Sequence, residues 1–249
     1  MRLALTFALL LLAASGPAAA QELRRVEEAQ FKAGSGRITF SEVPLRTRNP
    51  VYPPARYGGG ADSPTVRFAG HFVGRRLATP AECPQGAAPT GCLAGAPAAP
   101  LALDPRSPPT ETVPHPTNDG FHLVPPDLVG TPNASGPVAI LFDRDVAAVG
   151  LHAIGVDVPG AVAISVYDRA GRLLGRASTR RKGVDFLGLA TSDLVARIAG
   201  LEFHLVGPEP LGFGVDNIRF GTAQQVDLPG VAPPAPAPPP APRRPVILP

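Results

Sequence analysis

Tryptophan is missing from this sequence, and aromatic residues as a whole reach only 6% of it. A core built from such a chain must rest on Val, Leu, Ile and Ala, and a flat aromatic binding platform has few residues to draw on. Long stretches free of helix breakers are also scarce. The 33 prolines and 27 glycines argue against long helices and for short strands joined by turns. Cysteine is limited to Cys83 and Cys92, and the five histidines show neither H-x-H nor H-E-x-x-H spacing, so a zinc centre has no framework. No Walker or dinucleotide fingerprint and no G-x-S-x-G elbow is present. Net charge is only +3 and the basic residues are scattered. The calculated pI of ≈ 9.2 therefore gives little support to nucleic-acid binding.

What is present begins with "MRLALTFALLLLAASGPAAAQE". Arg2, an apolar run to about Ala14 and the small residues Ala18, Ala19 and Ala20 have the order of a secretory signal peptide, residues 1–20, cut after Ala20. The run is shorter than the roughly 20 apolar residues that span a bilayer, and no other stretch is long enough. The expected location is therefore secreted or periplasmic. In an oxidising compartment the close pair in "CPQGAAPTGC" is expected to form a Cys83–Cys92 disulfide that pins a Pro/Gly/Ala loop.

Residues 21–36 read as a loose leader or a first strand around Val26. A β-domain is expected over 37–221. Its strands include "GRITFSEVPL", where Ile38 and Phe40 alternate with polar residues, and "TVRFAGHFVGRRL", with Val66 and Phe68 facing one way. From 78 to 130 periodicity is lost, and this stretch reads as a long Pro/Ala/Gly-rich surface insertion. After it, "GPVAILFDRDVAAVGLHAIGV", "GAVAISVYDRAGRLLGRAS", "GVDFLGLAT", "IAGLEFHLVG" and "GFGVDNIRF" read as strands, with "FDRDVAAVG" as a turn between two of them. Asp168 to Gly171 reads as a hairpin turn. "TSDLVARIAG" suits a short helical turn, and residues 222–249 read as a Pro-rich disordered tail. Short strands at this spacing predict an all-β fold, an antiparallel β-sandwich or barrel.

Catalytic constellations are poor. Ser165 lies inside a strand, His152 and His204 occupy strand positions expected to face solvent, and "FDRD" offers Asp143 and Asp145 without a visible partner pair. Within "PLGFGVDNIRF" the neighbours Asp216 and Asn217 sit where a strand would favour Val or Ile. Taken from the residues alone, they cap a bulge by bonding nearby backbone N–H groups.

Residues 136–221, with "ITFSE" ahead of them, resemble the secreted jelly-roll domains that often precede PEP-CTERM sorting signals. Those domains are similar in turn to galactose-binding-like and carbohydrate-binding modules. The matching pieces are "VAILFDRDVAAVGLHAIG", "ISVYDRAGRLLG", "DFLGLAT" and "FGVDNIRF", in that order. No sorting signal follows. The resemblance implies a jelly-roll sandwich in which Glu42 and Asp216 approach each other and hold a structural Ca²⁺, a cation that takes six to eight oxygen ligands.

Three readings of function follow. The first is a non-catalytic module binding a carbohydrate or another cell-surface component, with Tyr52, Tyr57, Phe121 and Tyr167 as the exposed stacking residues. The second is a structural or interaction protein of the envelope that docks through the tail or the insertion. The third is a hydrolase whose site is assembled from distant loops.

Overall fold

Alternation of apolar residues with period two sends one side of each strand into a common core, and here the core lies between two sheets. The computed structural model describes residues 23–115 and 120–235. The expected signal peptide, residues 116–119 and the tail from 236 lie outside the described residues. Early strands are β1 (Leu23–Arg25), β2 (Gly36–Ile38), β3 (Val51–Tyr52), β4 (Val66–Ala69), β5 (Arg75–Leu77) and β6 (Leu93–Gly95). Then come β7 (Thr110–Val113), β8 (Asp127–Gly130), β9 (Val138–Val146), β10 (Ala148–Val156) and β11 (Val162–Tyr167). The last four are β12 (Leu173–Ser178), β13 (Gly183–Thr191), β14 (Ile198–Leu205) and β15 (Gly214–Gly221).

One sheet has the order β1-β13-β10-β15-β8-β7, with β2 also on β15; the other has the order β12-β11-β14-β9-β4-β3. β5 and β6 form a separate two-stranded ribbon. The protein is an all-β sandwich of antiparallel sheets. Val138, Ile140, Phe142, Ile164, Leu201 and Phe203 from one sheet meet Val149, Leu151, Leu187, Val215, Ile218 and Phe220 from the other in one buried cluster.

Several expectations are met closely. The β11–β12 hairpin turns at Asp168–Gly171, where Asp168 Oδ1 accepts the Ala170 and Arg172 N–H groups and Gly171 takes φ 76°. Cys83 and Cys92 are bonded. Others are corrected. The strand expected through Phe40 stops at Ile38, because Phe40 turns to φ 62° and drives its ring into the core against Tyr52 and Phe68. "FDRDVAAVG" is no turn. β9 runs straight into β10, and the chain changes sheets at Ala147, whose N–H bonds to Gly221 O. "TSDLVARIAG" forms a tight turn with Leu194 at φ 58° and no helix.

The stretch 78–130 is largely built into the sandwich. β7 and β8 extend the larger sheet, and β6 completes a ribbon with β5. Residues 70–104 cover the outer face of the smaller sheet, where Phe72 and Leu101 pack with Ala139, Tyr167 and Ala199. The chain ends are also more ordered than their composition suggests. β1 pairs with β13. Phe31, Val226 and Leu228 are buried in a second cluster with Val26, Phe186 and Leu194, so the folded part runs past 221.

Ending the chain after Leu228 is therefore expected to leave the melting temperature within about 2 °C of the full chain, since the described residues beyond it are exposed apart from the half-buried Val231. Ending it after Gly221 removes three buried side chains, the small Ala223 and the larger Val226 and Leu228, the larger two worth about 1.5–3 kcal/mol each. The melting temperature should then fall on the order of 10 °C. Thermal denaturation of the two truncations measures both.

Candidate functional site

The Asp216–Asn217 pair sits at an irregularity in the larger sheet. β15 pairs Arg219 with Gly150 and Asp216 with His152 on β10, so Asn217 and Ile218 together face Leu151. That is a bulge, and Asn217 accommodates it at φ 43°. Asp216 Oδ1 accepts the Asn217 N–H at 2.6 Å, Oδ2 accepts Asn217 Nδ2 at 3.0 Å, and Asn217 Oδ1 accepts Arg37 Nη2 at 3.0 Å. The two residues are the bulge's cap.

Around this cap the fold gathers acids. Val215 pairs with Leu128, so the next step of the register sets Asp216 beside Asp127 on β8. Both are buried, at 1% and 0% exposure. Asp127 Oδ2 meets His115 Nδ1 at 2.6 Å, and His115 stacks on His122. Glu42 Oε1 accepts the Thr39 N–H and hydroxyl, at 3.1 and 2.9 Å. Among the described residues, Asp127 Oδ1 and Glu42 Oε2 are buried without a hydrogen-bond partner. Burial pushes the Asp216 carboxyl up to about 7, and the charges of Asp127 and Glu42 push the same way, against the Asn217 N–H and Arg37.

Calcium asks for more oxygens than these. Both Asp216 oxygens are committed to Asn217. Among the described residues no group of three or more His, Cys, Asp or Glu side chains is placed to hold a metal ion. The bulge cap accounts for the side-chain bonds Asp216 makes.

The outer face of the smaller sheet carries a second polar group. Ser165 Oγ lies 2.9 Å from His204 Nε2 and accepts Arg176 Nε at 2.9 Å, while His204 Nδ1 bonds to Leu205 O at 3.0 Å. Beside them Glu202 Oε2 accepts Arg75 Nε at 2.9 Å and the Tyr167 hydroxyl at 3.0 Å, and Oε1 accepts the Phe72 N–H at 3.3 Å. A Ser–His contact resembles the start of a nucleophilic triad, but here the imidazole donates to a backbone carbonyl and no carboxylate orients it. Ser165 is fully buried and His204 is 4% exposed, contrary to the solvent-facing position expected for it. Burial, then the charges of Arg176 and Arg75, lower the His204 pKa to about 3. A neutral, sealed imidazole and an inaccessible hydroxyl make a structural network, not a nucleophile. His152 is also mostly covered, packed on Phe186 and 3.4 Å from Glu28.

The four aromatics expected as a stacking platform do not form one. Tyr52 is 0% and Tyr167 3% exposed, so neither can receive a ligand. Phe121 lies under Lys182 Nζ at 5.2 Å and accepts the Gly155 N–H near the end of β10, whereas Tyr57 packs on Phe220, which pairs with Val149 near its start. Tyr57 alone bears on an open site. Its ring packs edge-on against Phe220 and its hydroxyl donates to Pro64 O. It thereby fixes the 57–64 loop beside the end of β15.

That loop walls a crevice of ≈ 280 Å³, closed on the other sides by Gly34, Arg144, Asp145, Phe220 and Thr222. On the rim Asp62 pairs with Arg144 at 3.3 Å, and Asp145 pairs with Arg169, which does not itself line the crevice, so each acid there has a cationic partner. Each carboxylate uses only Oδ1 in its pair, which leaves a second oxygen as an acceptor. Ser63 and Thr222 add hydroxyls, and Val146, Pro64 and the edge of Phe220 make the floor apolar. Loop contacts across 80 residues assemble this crevice, which is why reading along the chain does not reveal it.

Asp216 generates a pH test. Its folded pKa lies above the usual carboxyl value, so the folded state binds more protons than the unfolded state between about pH 4 and 7. Stability should fall as pH rises through that window. After discounting for water near the cluster, the loss from pH 5 to pH 8 is on the order of 2 kcal/mol. Asp216→Asn, which keeps an acceptor for the Asn217 N–H, should flatten the dependence in urea titrations. A wild-type melting temperature that drops with chelator and a variant that ignores chelator would instead put an ion on Glu42 and Asp216. No protein-family model matches the chain, and no curated protein or solved structure matches it either.

Proposed function

We propose that this chain is a non-catalytic, exported binding module that holds a carbohydrate or another polar component of the cell surface in the crevice beside Tyr57. The observation that carries the reading is the character of that crevice, a charge-balanced polar rim over an apolar floor. A ring bearing hydroxyls presents the complementary surface, with C–H groups for the floor and O–H groups for Asp62, Asp145, Arg144 and the two hydroxyls. The contact area comes from the rim and from the loop of residues 60–63, in place of the stacked Tyr52, Tyr57, Phe121 and Tyr167 expected from sequence.

The polar groups that resemble catalytic machinery lie elsewhere and have other work. Ser165 and His204 tie two strands together beneath a covering segment, and Asp216 caps a bulge. The crevice brings together carboxylates, a guanidinium and hydroxyls as hydrogen-bonding groups, which suits recognition.

Gly60 supplies the test. It has an ordinary φ, and a Cβ built on it meets nothing within 4 Å. Gly60→Leu should fold normally while filling the crevice. In a screen of immobilised glycans and isolated envelope fractions, the wild type is expected to bind and Gly60→Leu to bind at least tenfold more weakly, with unchanged melting temperature. Equal binding by both proteins would remove the crevice from the function.

A further inference from the structure

The crevice beside Tyr57 carries two carboxylates, and the fold holds them very differently. Asp62 is fully exposed and meets a single Arg144 nitrogen at 3.3 Å. The Asp145 side chain is only 31% exposed and is gripped by Arg169, whose Nε, at 3.1 Å, and Nη2 both donate to Asp145 Oδ1. Arg169 is itself fixed in its turn. Its Nη1 donates to Phe142 O at 2.8 Å, and its own carbonyl accepts the Leu101 N–H. β9, the β11–β12 turn and the 70–104 segment therefore converge to set the angle of one carboxylate.

The manner of the grip matters. An arginine often takes a carboxylate side-on, with one bond to each oxygen. Here both donors fall on Oδ1, and among the described residues Oδ2 has no hydrogen-bond partner. It is not one of the buried oxygens left without a partner either, so it stands open to solvent on a residue that lines the crevice. Such an oxygen is a preorganised acceptor, aimed before a ligand arrives and free of any protein donor that would have to be displaced. Gln225, in the same lining, is already spent: Oε1 accepts the Thr222 N–H and Nε2 donates to Gly34 O.

We propose that Asp145 is the specificity-determining residue of this crevice, with Arg169 as its positioning residue, and that it selects an uncharged sugar ring presenting two adjacent hydroxyl groups to Oδ2. The inference rests on the reading of the crevice as a carbohydrate site. A carboxylate only accepts, and each of its oxygens has two lone pairs. Oδ2 can therefore take two hydroxyl donors at once, and neighbouring ring carbons supply them. Bonds to a charged acceptor are stronger than neutral ones. A ring with its own carboxylate at that edge meets a like charge and is turned away.

The same geometry says what an amide would do. In Asp145→Asn the two Arg169 donors still need an acceptor, so the amide oxygen turns to them and the NH₂ group faces the crevice. The variant keeps the tie to the turn and the shape of the wall, yet presents a donor where the acceptor stood.

NMR titration of the intact protein with the methyl glycosides of glucose, galactose, mannose and xylose, and with their monodeoxy analogues, tests the proposal. Removing one of two adjacent hydroxyls is expected to weaken wild-type binding about ten- to hundredfold. Asp145→Asn, with an unchanged melting temperature, should bind the parent glycoside more weakly by a similar factor, and the same deoxy analogue no worse than its parent. Where Asp145→Asn fails to fold, Arg169→Lys keeps a cation beside the carboxylate without the fork and should shrink the deoxy penalty severalfold. A penalty that persists at full size in either variant overturns Asp145 as the selector, and if Gly60→Leu still abolishes binding the crevice itself stands. No binding of any of these glycosides, or binding that Gly60→Leu does not weaken, overturns both.

Discussion

A single buried carboxylate organises one whole side of this molecule. Glu202 projects from β14 onto the outer face of the smaller sheet, where it is 0% exposed. Its oxygens are taken by Arg75, the Tyr167 hydroxyl and the Phe72 N–H. A charge placed there demands partners, since leaving it unpaired costs several kcal/mol. Two of the three partners belong to the 70–104 segment. That segment has no apolar periodicity with which to dock itself. The carboxylate draws it onto the sheet, Phe72 and Leu101 complete the contact, and Tyr167 and His204 become interior residues as a result.

This arrangement marks where sequence reading succeeds and where it stops. Strands β9 to β15 were legible because each needs one apolar face, and Val162, Ile164 and Val166 or Leu201, Phe203 and Leu205 announce it by alternation. Yet the same strands are buried on both faces. Ser165, Glu202 and His204 read as outward polar positions, and nothing local tells that another segment covers them. Tyr52 and Tyr167 were misread for the same reason. A phenol looks like a surface residue until the partner of its ring is known. The 78–130 stretch misleads in the opposite direction, for β7 and β8 are held by pairing to β15 and not by any pattern of their own.

The candidate sites divide similarly. Asp216 stood out because Asp and Asn disfavour strand interiors, and its bulge-capping role follows from its own neighbours. The resemblance implied the approach of Glu42, but Asp127 could not be read, because β8 comes beside Asp216 only through its pairing to β15. The crevice lies at a seam where elements far apart in the chain approach, the 57–64 loop against β15. Such surfaces have no motif, only geometry. The polar groups best separated from solvent do structural work, as Ser165, Glu202 and His204 show.

The passage from β9 to β10 has a wider meaning for how the molecule comes apart. At Val146 the chain is paired with Ile198 in one sheet, and at Ala147 and Ala148 it is already bonded to Gly221 in the other. No slack loop separates the two memberships. Neither sheet can therefore peel away while the other persists, because the same ribbon would have to be native and unravelled within one residue. The sandwich gains a cooperative hinge-free corner, and its two layers share one fate in unfolding.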